Sequence, residues 1–380
     1  MKKILVVTSS RADYFLLRPL LIKLKAIKEF QLEIIATGSH HLKSHGYTVK
    51  EIERDFSIIH SIKILSSKTD SLAIQKNLPH YLKKFLTLLH GSKPDLVVLL
   101  GDRYEVFVAA IACLFNAIPI AHIHGGEVTH GAIDDPMRHS ITKMSNFHFV
   151  SNSKYKNRVA QLGESPKNIF NVGPMVLDNL IETKFLSRHE LCNRLGINEL
   201  DPFFLVTLHP ETYGKFNNLR NIQQLLKALQ KFSNHKLIFT APNVDLEADT
   251  IRSEINNFVK KNPNSFFFDS LGSTVYLSLM RYSLCVIGNS SSGIIEAPLL
   301  GAKSVNIGAR QSGRVMAKTI FSSSFSSLDI FNSINRALSN KSRQNLQKLS
   351  TKDSPSSKII NVIQEIPLPL KNYKKFHDIK

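Results

Sequence analysis

Short runs of apolar residues recur along the chain, and each run ends at a small or polar residue. The first run, Lys3 to Thr8, precedes a segment with apolar residues at helical spacing, Phe15 to Ile27. The runs Asp95 to Leu100 and Ile118 to Ile123 repeat the pattern, with a helical segment, Glu105 to Phe115, between them. Repeated alternation of buried strands and helices predicts an α/β domain with a parallel sheet.

A second alternating series follows the turn signal Gly173-Pro174, which we take as the domain boundary because it ends a predicted strand. Its predicted strands are Phe203 to Leu208, Leu237 to Thr240, Phe266 to Phe268, Leu284 to Ile287 and Ser304 to Ile307. The pattern therefore predicts two doubly wound, Rossmann-like domains, residues 1–173 and 174–355, that face each other across a cleft.

The net charge of the chain and its distribution indicate which kinds of binding partner to expect. The 380 residues include 49 Lys and Arg against 30 Asp and Glu, a formal net charge of +19. The lysines are spread along the whole chain, with the densest cluster at 371–375, so we predict no nucleic-acid partner. A dispersed positive excess would still help to attract an anionic small molecule.

Composition also predicts the compartment. No apolar run approaches the length needed to span a bilayer, and the N-terminal run is read as a first strand instead of a signal peptide. The cysteines, Cys113, Cys192 and Cys285, are isolated and odd in number, which is typical of a reducing cytoplasm. We therefore expect a cytoplasmic protein without a membrane partner.

The stretch Val286 to Pro298 joins an apolar run to a loop of glycine, asparagine and serine and then to a predicted helix start. Hydroxyl groups and backbone N–H groups at a helix N-terminus suit a phosphate. Glu296 would repel that anion and suits a ribose diol better, since a carboxylate accepts from both hydroxyls. An ordinary capped helix explains the serines equally well.

Carboxylates also gather where predicted strands end. Asp102 ends one strand, where an acid at a cleft can be functional. Glu127, Asp134 and Asp135 follow the next strand, and three carboxylates beside one strand terminus would raise one another's pKa, as general acid/base chemistry requires. A helix cap at Asp102 and a solvated acidic loop are the alternatives. His122 and His124 alternate along a strand with no further ligand set, so we predict no metal. Neither GxGxxG nor a P-loop occurs, so no dinucleotide or ATP cofactor is predicted.

Eight motifs together resemble one family. In chain order they are SSRADY (9–14), ATGSHH (36–41), GDRYE (101–105), HIHGGE (122–127), GAIDDPMRHSITK (131–143), LHPET (208–212), GNSSSGIIEAP (288–298) and NIGARQSGR (306–314). Over residues 1 to about 315 the chain is similar to the hydrolysing UDP-N-acetylglucosamine 2-epimerases, which make N-acetylmannosamine for sialic acid. Close relatives act on diacetylbacillosamine for legionaminic acid.

The resemblance implies a two-domain glycosyltransferase-B fold whose C-terminal helix crosses back to the first domain, and the apolar pattern near Ile359 to Ile366 suits that helix. It also implies roles for matching positions. The second domain would hold UDP through the serine loop and Glu296, with phosphate charge met by two arginines and the site lined by a histidine and an asparagine. These nucleotide-binding positions are Arg11, His209, Asn243, Ser290, Ser291, Ser292, Glu296 and Arg310.

On the sugar side the resemblance implies that Asp102, Glu127, Asp134 and Asp135 are the acidic catalytic positions, with His209 as a further catalytic candidate. Members that carry HIEGGE place a catalytic glutamate where this chain has His124, so either Glu127 or His124 would take that role.

The expected reaction converts UDP-N-acetylglucosamine into N-acetylmannosamine and UDP, by anti-elimination to 2-acetamidoglucal and addition of water. The alternative substrate is UDP- or GDP-linked diacetylbacillosamine. A glycosyltransferase of the same fold and a non-catalytic nucleotide-sugar sensor are more distant alternatives. We expect no cofactor, and a homodimer or homotetramer.

Overall fold

The computed structural model describes residues 1–43, 47–57, 60–65, 71–129, 133–199, 201–211, 217–242, 248–269, 271–340, 353–370 and 374–378. Contacts divide the chain into two compact units. Unit 1 comprises Met1–Val128, Ala132–Glu182 and Leu349–Lys380, and unit 2 comprises Thr129–Gly131 and Thr183–Lys348.

Unit 1 is built on a parallel sheet, which has seven strands within the described residues. The strands are β1 (Lys2–Thr8), β2 (Phe30–Ala36), β3 (His60–Ser61), β4 (Leu96–Leu100), β5 (Ile120–Ile123), β6 (Phe147–Val150) and β7 (Ile169–Asn171). Their order is β3-β2-β1-β4-β5-β6-β7. The connecting helices are α1 (Arg11–Ala26), α2 (Val49–Asp55), α3 (Ser71–Ser92), α4 (Tyr104–Phe115), α5 (Asp134–Met144), α6 (Ser153–Gln161) and α7 (Val176–Glu182).

Unit 2 repeats this plan with a parallel sheet of six strands among the residues described. They are β8 (Phe203–Thr207), β9 (Lys236–Thr240), β10 (Ser265–Phe268), β11 (Cys285–Gly288), β12 (Ser304–Ile307) and β13 (Ile320–Ser323), in the order β10-β9-β8-β11-β12-β13. The helices are α8 (Arg188–Leu195), α9 (Asn218–Leu229), α10 (Ala248–Lys261), α11 (Gly272–Tyr282), α12 (Glu296–Leu299) and α13 (Ser327–Ser339).

The strands are continuous apolar runs because both faces of each sheet are covered. In β1, Ile4 and Val6 join one hydrophobic cluster, whereas Leu5 and Val7 join another on the opposite face. Successive side chains of a strand point to opposite faces, so a central strand between two layers of helices needs apolar residues at every position. The predicted α/β class with two doubly wound units is confirmed.

The last helix, α14 (Pro355–Glu365), belongs to unit 1 and packs against α1 and α7. Ile359 and Ile363 are fully buried in the same cluster as β1. The helix start is tied down by Asp178, which accepts hydrogen bonds from the backbone N–H and the hydroxyl of Ser356. Because α7 packs against α1 and α14, unit 1 runs on to Glu182, beyond the boundary expected at residue 173.

Two local expectations were wrong. Helix α1 begins at Arg11 instead of Phe15, since the Ser10 hydroxyl accepts from the Asp13 N–H and caps the helix there. The helix expected after the serine loop has only four residues, Glu296–Leu299, preceded by a short 3-10 helix, Ser291–Gly293. The strands β3 and β13 and the helices α6, α7, α8 and α13 were not predicted from the sequence.

Within the described part of the chain, no helix is both long enough and apolar enough to cross a membrane.

Candidate active site

In unit 1 the strand order reverses between β1 and β4, and in unit 2 between β8 and β11. Crevices outside the carboxyl ends of strands at such reversals are where ligands bind in doubly wound sheets. Asp102 follows β4, and His209 and Asn289 follow β8 and β11. Each unit therefore carries at least one of its predicted polar residues at its own point of reversal.

The acidic residues of unit 1 are organised by Arg138, a buried residue of α5 that is 4% exposed. Its guanidinium group forms an ion pair with Asp102 and donates to the Asp135 carboxylate at 3.2 Å. It also donates to the backbone oxygen of Glu127 at 2.9 Å. One arginine thus joins the segments that carry the predicted acids. We did not predict it, although its position three residues after Asp135 in a helix is the signal that could have identified it.

Asp134, at the start of α5, differs electrostatically from an ordinary aspartate. Burial raises the pKa of its carboxyl group, and the negative charge of Asp102 raises it further, against the opposing charges of Arg138 and Arg103. A carboxyl group that keeps its proton closer to neutral pH can act as a general acid.

Glu127 and His124 form a second polar pair in unit 1. Glu127 accepts from the Ser151 hydroxyl at 3.1 Å, and its Oε1 lies 3.7 Å from His124 Nδ1. His124 Nε2 accepts from the Met175 N–H at 3.1 Å, so the neutral ring carries its proton on Nδ1, the atom nearer Glu127. The histidine ring is therefore oriented towards the carboxylate.

The sequence interpretation of His122 and His124 as neighbours on one strand was wrong. β5 ends at Ile123, and His124 adopts a left-handed backbone with φ of 65°. His122 is fully buried, with Nε2 donating to the Gly101 oxygen at 2.8 Å, and burial lowers its pKa to about 3. His122 is a neutral structural residue.

Arg11 lies in the first turn of α1 with its side chain 72% exposed, 3.8 Å from Glu51. Two other motif residues, Asp13 of SSRADY and Glu105 of GDRYE, are held in place by hydrogen bonds or an ion pair. Asp13 accepts from the backbone N–H and the hydroxyl of Ser9, and Glu105, which is 1% exposed, pairs with Arg103 at 3.1 Å.

In unit 2 the chain approaches itself most closely at Gly288, the last residue of β11. Its φ is +139°, and a Cβ there would lie 1.9 Å from the Thr207 oxygen. Only glycine fits this position. The next residue, Asn289, is fully buried; its side chain accepts from the His209 N–H at 2.7 Å and donates to the His209 oxygen at 2.8 Å. This pair of hydrogen bonds fixes the loop after β8 against the loop after β11.

The environment keeps His209 neutral. Burial lowers the pKa of its imidazole to about 4, and the positive charge of Arg310 acts in the same direction. At neutral pH the ring can therefore accept a proton or a hydrogen bond but adds no charge of its own.

The serine loop is held by its own hydroxyl groups. Ser290 Oγ caps the 3-10 helix, and Ser292 Oγ lies 3.0 Å from Ser290 Oγ and 2.6 Å from the Tyr276 hydroxyl. Ser291 starts the 3-10 helix and is partly exposed. Since α12 has only four residues, the helix-dipole argument made from the sequence does not apply. Any anion here would rest on hydroxyl and backbone N–H groups of the loop.

Glu296 is partly exposed at the start of α12. Desolvation raises the pKa of its carboxyl group to about 7, against the weaker effects of a backbone hydrogen bond and the charge of Arg314. The group is therefore close to half-ionised at neutral pH.

Arg310 is positioned by a residue that we did not assign to the site. Glu211 Oε1 accepts from the backbone N–H groups of Ala309 at 2.9 Å and Arg310 at 3.1 Å. The Arg310 guanidinium donates to the Asn289 oxygen at 3.4 Å. The loops after β8, β11 and β12 thus form one network. Asn243 lies outside the described residues.

Among the residues that the structure describes, no group of three or more His, Cys, Asp or Glu side chains is arranged to hold a metal ion. The candidate residues of the two units are carboxylates, arginines, histidines and residues with hydroxyl groups.

Comparison with known proteins shows which family the chain resembles. A family model described as UDP-N-acetylglucosamine 2-epimerase matches residues 22–364. GDP/UDP-N,N'-diacetylbacillosamine 2-epimerase (hydrolyzing) of Campylobacter jejuni is 41% identical, over 86% of this chain and 86% of its own. Polysialic acid biosynthesis protein P7 of Escherichia coli is 37% identical, over 100% of this chain and 98% of its own.

The fold has a counterpart among solved structures. The crystal structure of UDP-GlcNAc 2-epimerase from Neisseria meningitidis bound to UDP-GlcNAc matches with a TM-score of 0.78 at 18% identity. The match covers 96% of this chain and 100% of that one.

Proposed function

The chain belongs to the UDP-N-acetylglucosamine 2-epimerase family, and we propose that it hydrolyses and epimerises a nucleotide-linked acetamido sugar. Nucleotide-linked diacetylbacillosamine is the proposed substrate. It is favoured over UDP-N-acetylglucosamine, the first expectation from the sequence, because the relative at 41% identity bears that name.

The observation that carries the proposal is the acidic cluster of unit 1. Inversion at C2 of a sugar requires a proton to leave from one face and a proton to return to the other, so two separate groups are needed. Glu127, oriented by Ser151 and His124, is assigned as the base that removes the C2 proton. Asp134, whose pKa is raised by burial and by Asp102, is assigned as the acid that returns one.

Unit 2 is assigned to the leaving group. As the C2 proton leaves, the C1–O bond to the nucleotide breaks and a C1=C2 double bond forms, so negative charge collects on the departing diphosphate. Arg310 and the hydroxyl and N–H groups of the serine loop would stabilise that charge, and Arg11 of unit 1 would add a further cation. Glu296 would accept from the ribose hydroxyls. Water then adds to the glucal and releases the free 2-epimer.

A substrate panel tests the proposal. The protein is incubated without any acceptor with UDP-diacetylbacillosamine, GDP-diacetylbacillosamine or UDP-N-acetylglucosamine, and free nucleotide and free sugar are quantified. We expect release of both, with the highest kcat/KM for a diacetylbacillosamine nucleotide. If none of the three releases nucleotide and free 2-epimer, the proposed function is wrong, and a requirement for an acceptor would indicate a glycosyltransferase.

UDP-N-acetylglucosamine is the second candidate. The Escherichia coli relative is named for polysialic acid biosynthesis, and the sequence motifs resemble enzymes that supply N-acetylmannosamine for sialic acid. A higher kcat/KM for UDP-N-acetylglucosamine in the same panel would assign that substrate instead.

A further inference from the structure

The last described segment of the chain, residues 374–378, belongs to unit 1 although it forms neither helix nor strand. We call this segment the C-terminal tail. The Lys374 ammonium group donates to the backbone oxygens of Lys143 at 2.5 Å and Ser145 at 2.6 Å, and pairs with the Glu164 carboxylate at 2.7 Å. An ammonium group has three donors, so these three acceptors use all of them. Two of the acceptors lie at the C-terminal end of α5.

The third acceptor, Glu164, is a buried carboxylate that joins the tail to two further elements. It is 2% exposed and follows α6. Its Oε1 accepts from Lys143 Nζ of α5 at 3.0 Å, and its Oε2 accepts from His148 Nε2 of β6 at 3.0 Å. A buried carboxylate that lost its partners would be costly, so this group strongly favours the docked tail and the present positions of α5 and β6.

The tail makes a second contact at the turn that ends α6. The His377 N–H donates to the Gly163 oxygen at 2.9 Å. The Phe376 ring covers Gly163, where a Cβ would lie 2.3 Å from the ring. Lys143 Nζ lies 4.4 Å from the centroid of the same ring, within the range of a cation–π contact. The tail therefore joins the end of α5 to the end of α6.

The other parts of these two helices lie beside the proposed acid and base. Helix α5 begins with Asp134. Arg158 of α6 donates to the Gly126 oxygen at 2.6 Å, and a Cβ on Gly126 would lie 2.7 Å from the Tyr155 oxygen of the same helix. Gly126 directly precedes Glu127. A displacement of α5 would move Asp134, and a displacement of α6 would move Glu127.

Helix α5 depends on polar contacts to an unusual degree. All eleven of its residues are described, and Ile141 is the only apolar residue among them that is buried. Helix α4, of similar length, buries Val106, Val108, Ala109, Ala110, Ala112 and Cys113. Most helices in proteins are stabilised by packing of an apolar face. Lys374 instead supplies a cation and donors to carbonyl groups that a helix C-terminus leaves without intrahelical partners.

Burial of apolar surface does not explain the tail. Phe376 remains 65% exposed, and hydrophobic stabilisation scales with the apolar area removed from water. The specific contacts of the tail are made with helix ends and with Glu164. Its arrangement is better explained by the placement of α5 and α6 than by an addition to the core.

We propose that the C-terminal tail positions Asp134 and Glu127 for proton transfer, with Lys374 as the positioning residue, an inference that rests on the proposed function. Lys374 touches no reacting atom in this scheme and acts through the end of α5 and through Glu164. A displacement of about 1 Å in a reacting group can slow a reaction about 100-fold. Loss of the tail contacts should therefore lower kcat and leave nucleotide binding by unit 2 intact.

The test compares Lys374→Met and Phe376→Ala with Lys375→Met, at an exposed residue of the same tail, as the matched control. Lys374→Met leaves Glu164 paired with Lys143 and His148, so no buried carboxylate loses its last partner. Phe376→Ala changes no charge.

The substrate is UDP-diacetylbacillosamine or UDP-N-acetylglucosamine, whichever the wild type turns over faster. We expect kcat to fall about 10- to 100-fold in Lys374→Met and by a smaller factor in Phe376→Ala. The Kd for UDP, measured by calorimetry, should keep its wild-type value in both variants. The control should keep both the wild-type kcat and the wild-type Kd.

Hydrogen exchange reports on α5 without turnover. The amides of residues 138–141 bond to carbonyl groups in the first turn of α5. Their exchange should be about 10-fold faster in Lys374→Met, as for loss of a hydrogen bond from a charged group, and unchanged in Lys375→Met.

Wild-type kcat in both tail variants would overturn the proposal. A fall in kcat that is matched by an equal loss of UDP affinity would also overturn it, as would failure of both variants to fold. Either of these results assigns the tail to general stability.

Failure of the proposed function gives a different result, because the wild type then releases nucleotide from neither sugar. Hydrogen exchange becomes the deciding measurement. Faster exchange at residues 138–141 in Lys374→Met, with the control unchanged, supports positioning of α5 by the tail. Equal exchange in the two variants refutes it.

Discussion

At the scale of single residues, the catalytic assignment depends on how Asp102 changes its neighbours. Asp102 is paired with Arg138, and its charge helps to raise the pKa of Asp134. In the proposed mechanism, Asp102 would therefore act through the protonation of Asp134 as well as through the position of Arg138.

Asp102→Asn should reduce kcat by about 10²- to 10⁴-fold, because loss of its negative charge removes one of the causes that raise the pKa of Asp134, so that the proposed acid holds its proton less tightly. Most of the groups proposed to bind the nucleotide belong to unit 2, so calorimetry should show nearly unchanged affinity for UDP. Asp269→Asn, at a 71% exposed side chain, is the control and should leave kcat unchanged. A parallel loss of UDP affinity in Asp102→Asn would count against this assignment.

The pKa of Glu296 predicts how the affinity for UDP depends on pH. Its pKa of about 7 means that the free protein largely keeps this proton below neutral pH. A ribose diol donates to the carboxylate form, so UDP affinity should rise roughly tenfold from about pH 6 to about pH 8. Glu296→Gln should lose this part of the dependence, and the ionisation of UDP itself, common to both proteins, cancels in the comparison. Equal pH profiles for the two proteins would refute the ribose contact.

The raised pKa of Glu296 also determines the direction in which folding stability changes with pH. A carboxyl group with a raised folded-state pKa binds its proton more tightly when folded, so its contribution is present at acidic pH. That contribution is lost as the pH rises through about 7.

Residue types were predictable from the sequence, but their partners were not. Carboxylates and histidines at strand ends can be recognised from the sequence as candidate site residues, because the carboxyl ends of parallel strands meet at one edge of a sheet. Arg138 and Glu211 were missed because their importance lies in contacts with residues distant in the chain, such as Asp102 and Ala309.

At the scale of elements, the junction of β8 and β11 has the strictest requirement. Gly288→Ala would place a methyl group 1.9 Å from the backbone oxygen of Thr207, so the two strand ends must separate. We expect unit 2 to lose about 3 kcal/mol of unfolding free energy in urea, and UDP affinity to fall with it.

The control for that change is Gly293→Ala in the adjoining 3-10 helix. Its Cβ would have no neighbour closer than 3.7 Å, so the unfolding midpoint should stay at the wild-type value. Equal midpoints for the two variants would contradict the close approach at Gly288.

Among the strands, those with long apolar runs were predictable from the sequence, and the shortest one was not. The buried strands were visible as apolar runs, whereas β3 has only two residues, His60–Ser61, and no apolar pattern. α12 was overestimated because Pro298 and the glycine at 301 limit it to one turn.

At the scale of the whole molecule, the chain builds two units with separate hydrophobic cores, and its C-terminal helix completes the first. Ile363→Ala, at a fully buried position of α14, should destabilise unit 1 by about 2–5 kcal/mol. Urea unfolding followed by hydrogen exchange should show the loss in segments of unit 1, whereas saturating UDP should protect unit 2. Equal destabilisation of both units by this change would argue against separate cores.

The resemblance to the family implied that the C-terminal helix packs on the first domain, but it did not identify the residues that the helix contacts there. The Ile359 to Ile366 pattern shows an apolar face, yet only the structure places that face against α1 and ties it to Asp178. Contacts between residues so far apart in the chain leave no local signal.

The most direct test of elimination and hydration is the reaction of wild-type protein with UDP-diacetylbacillosamine in heavy water. Removal and return of the C2 proton predict free 2-epimer carrying one deuterium at C2, together with one equivalent of UDP, by NMR and mass spectrometry. Free sugar with the original configuration and no deuterium at C2 would contradict the account.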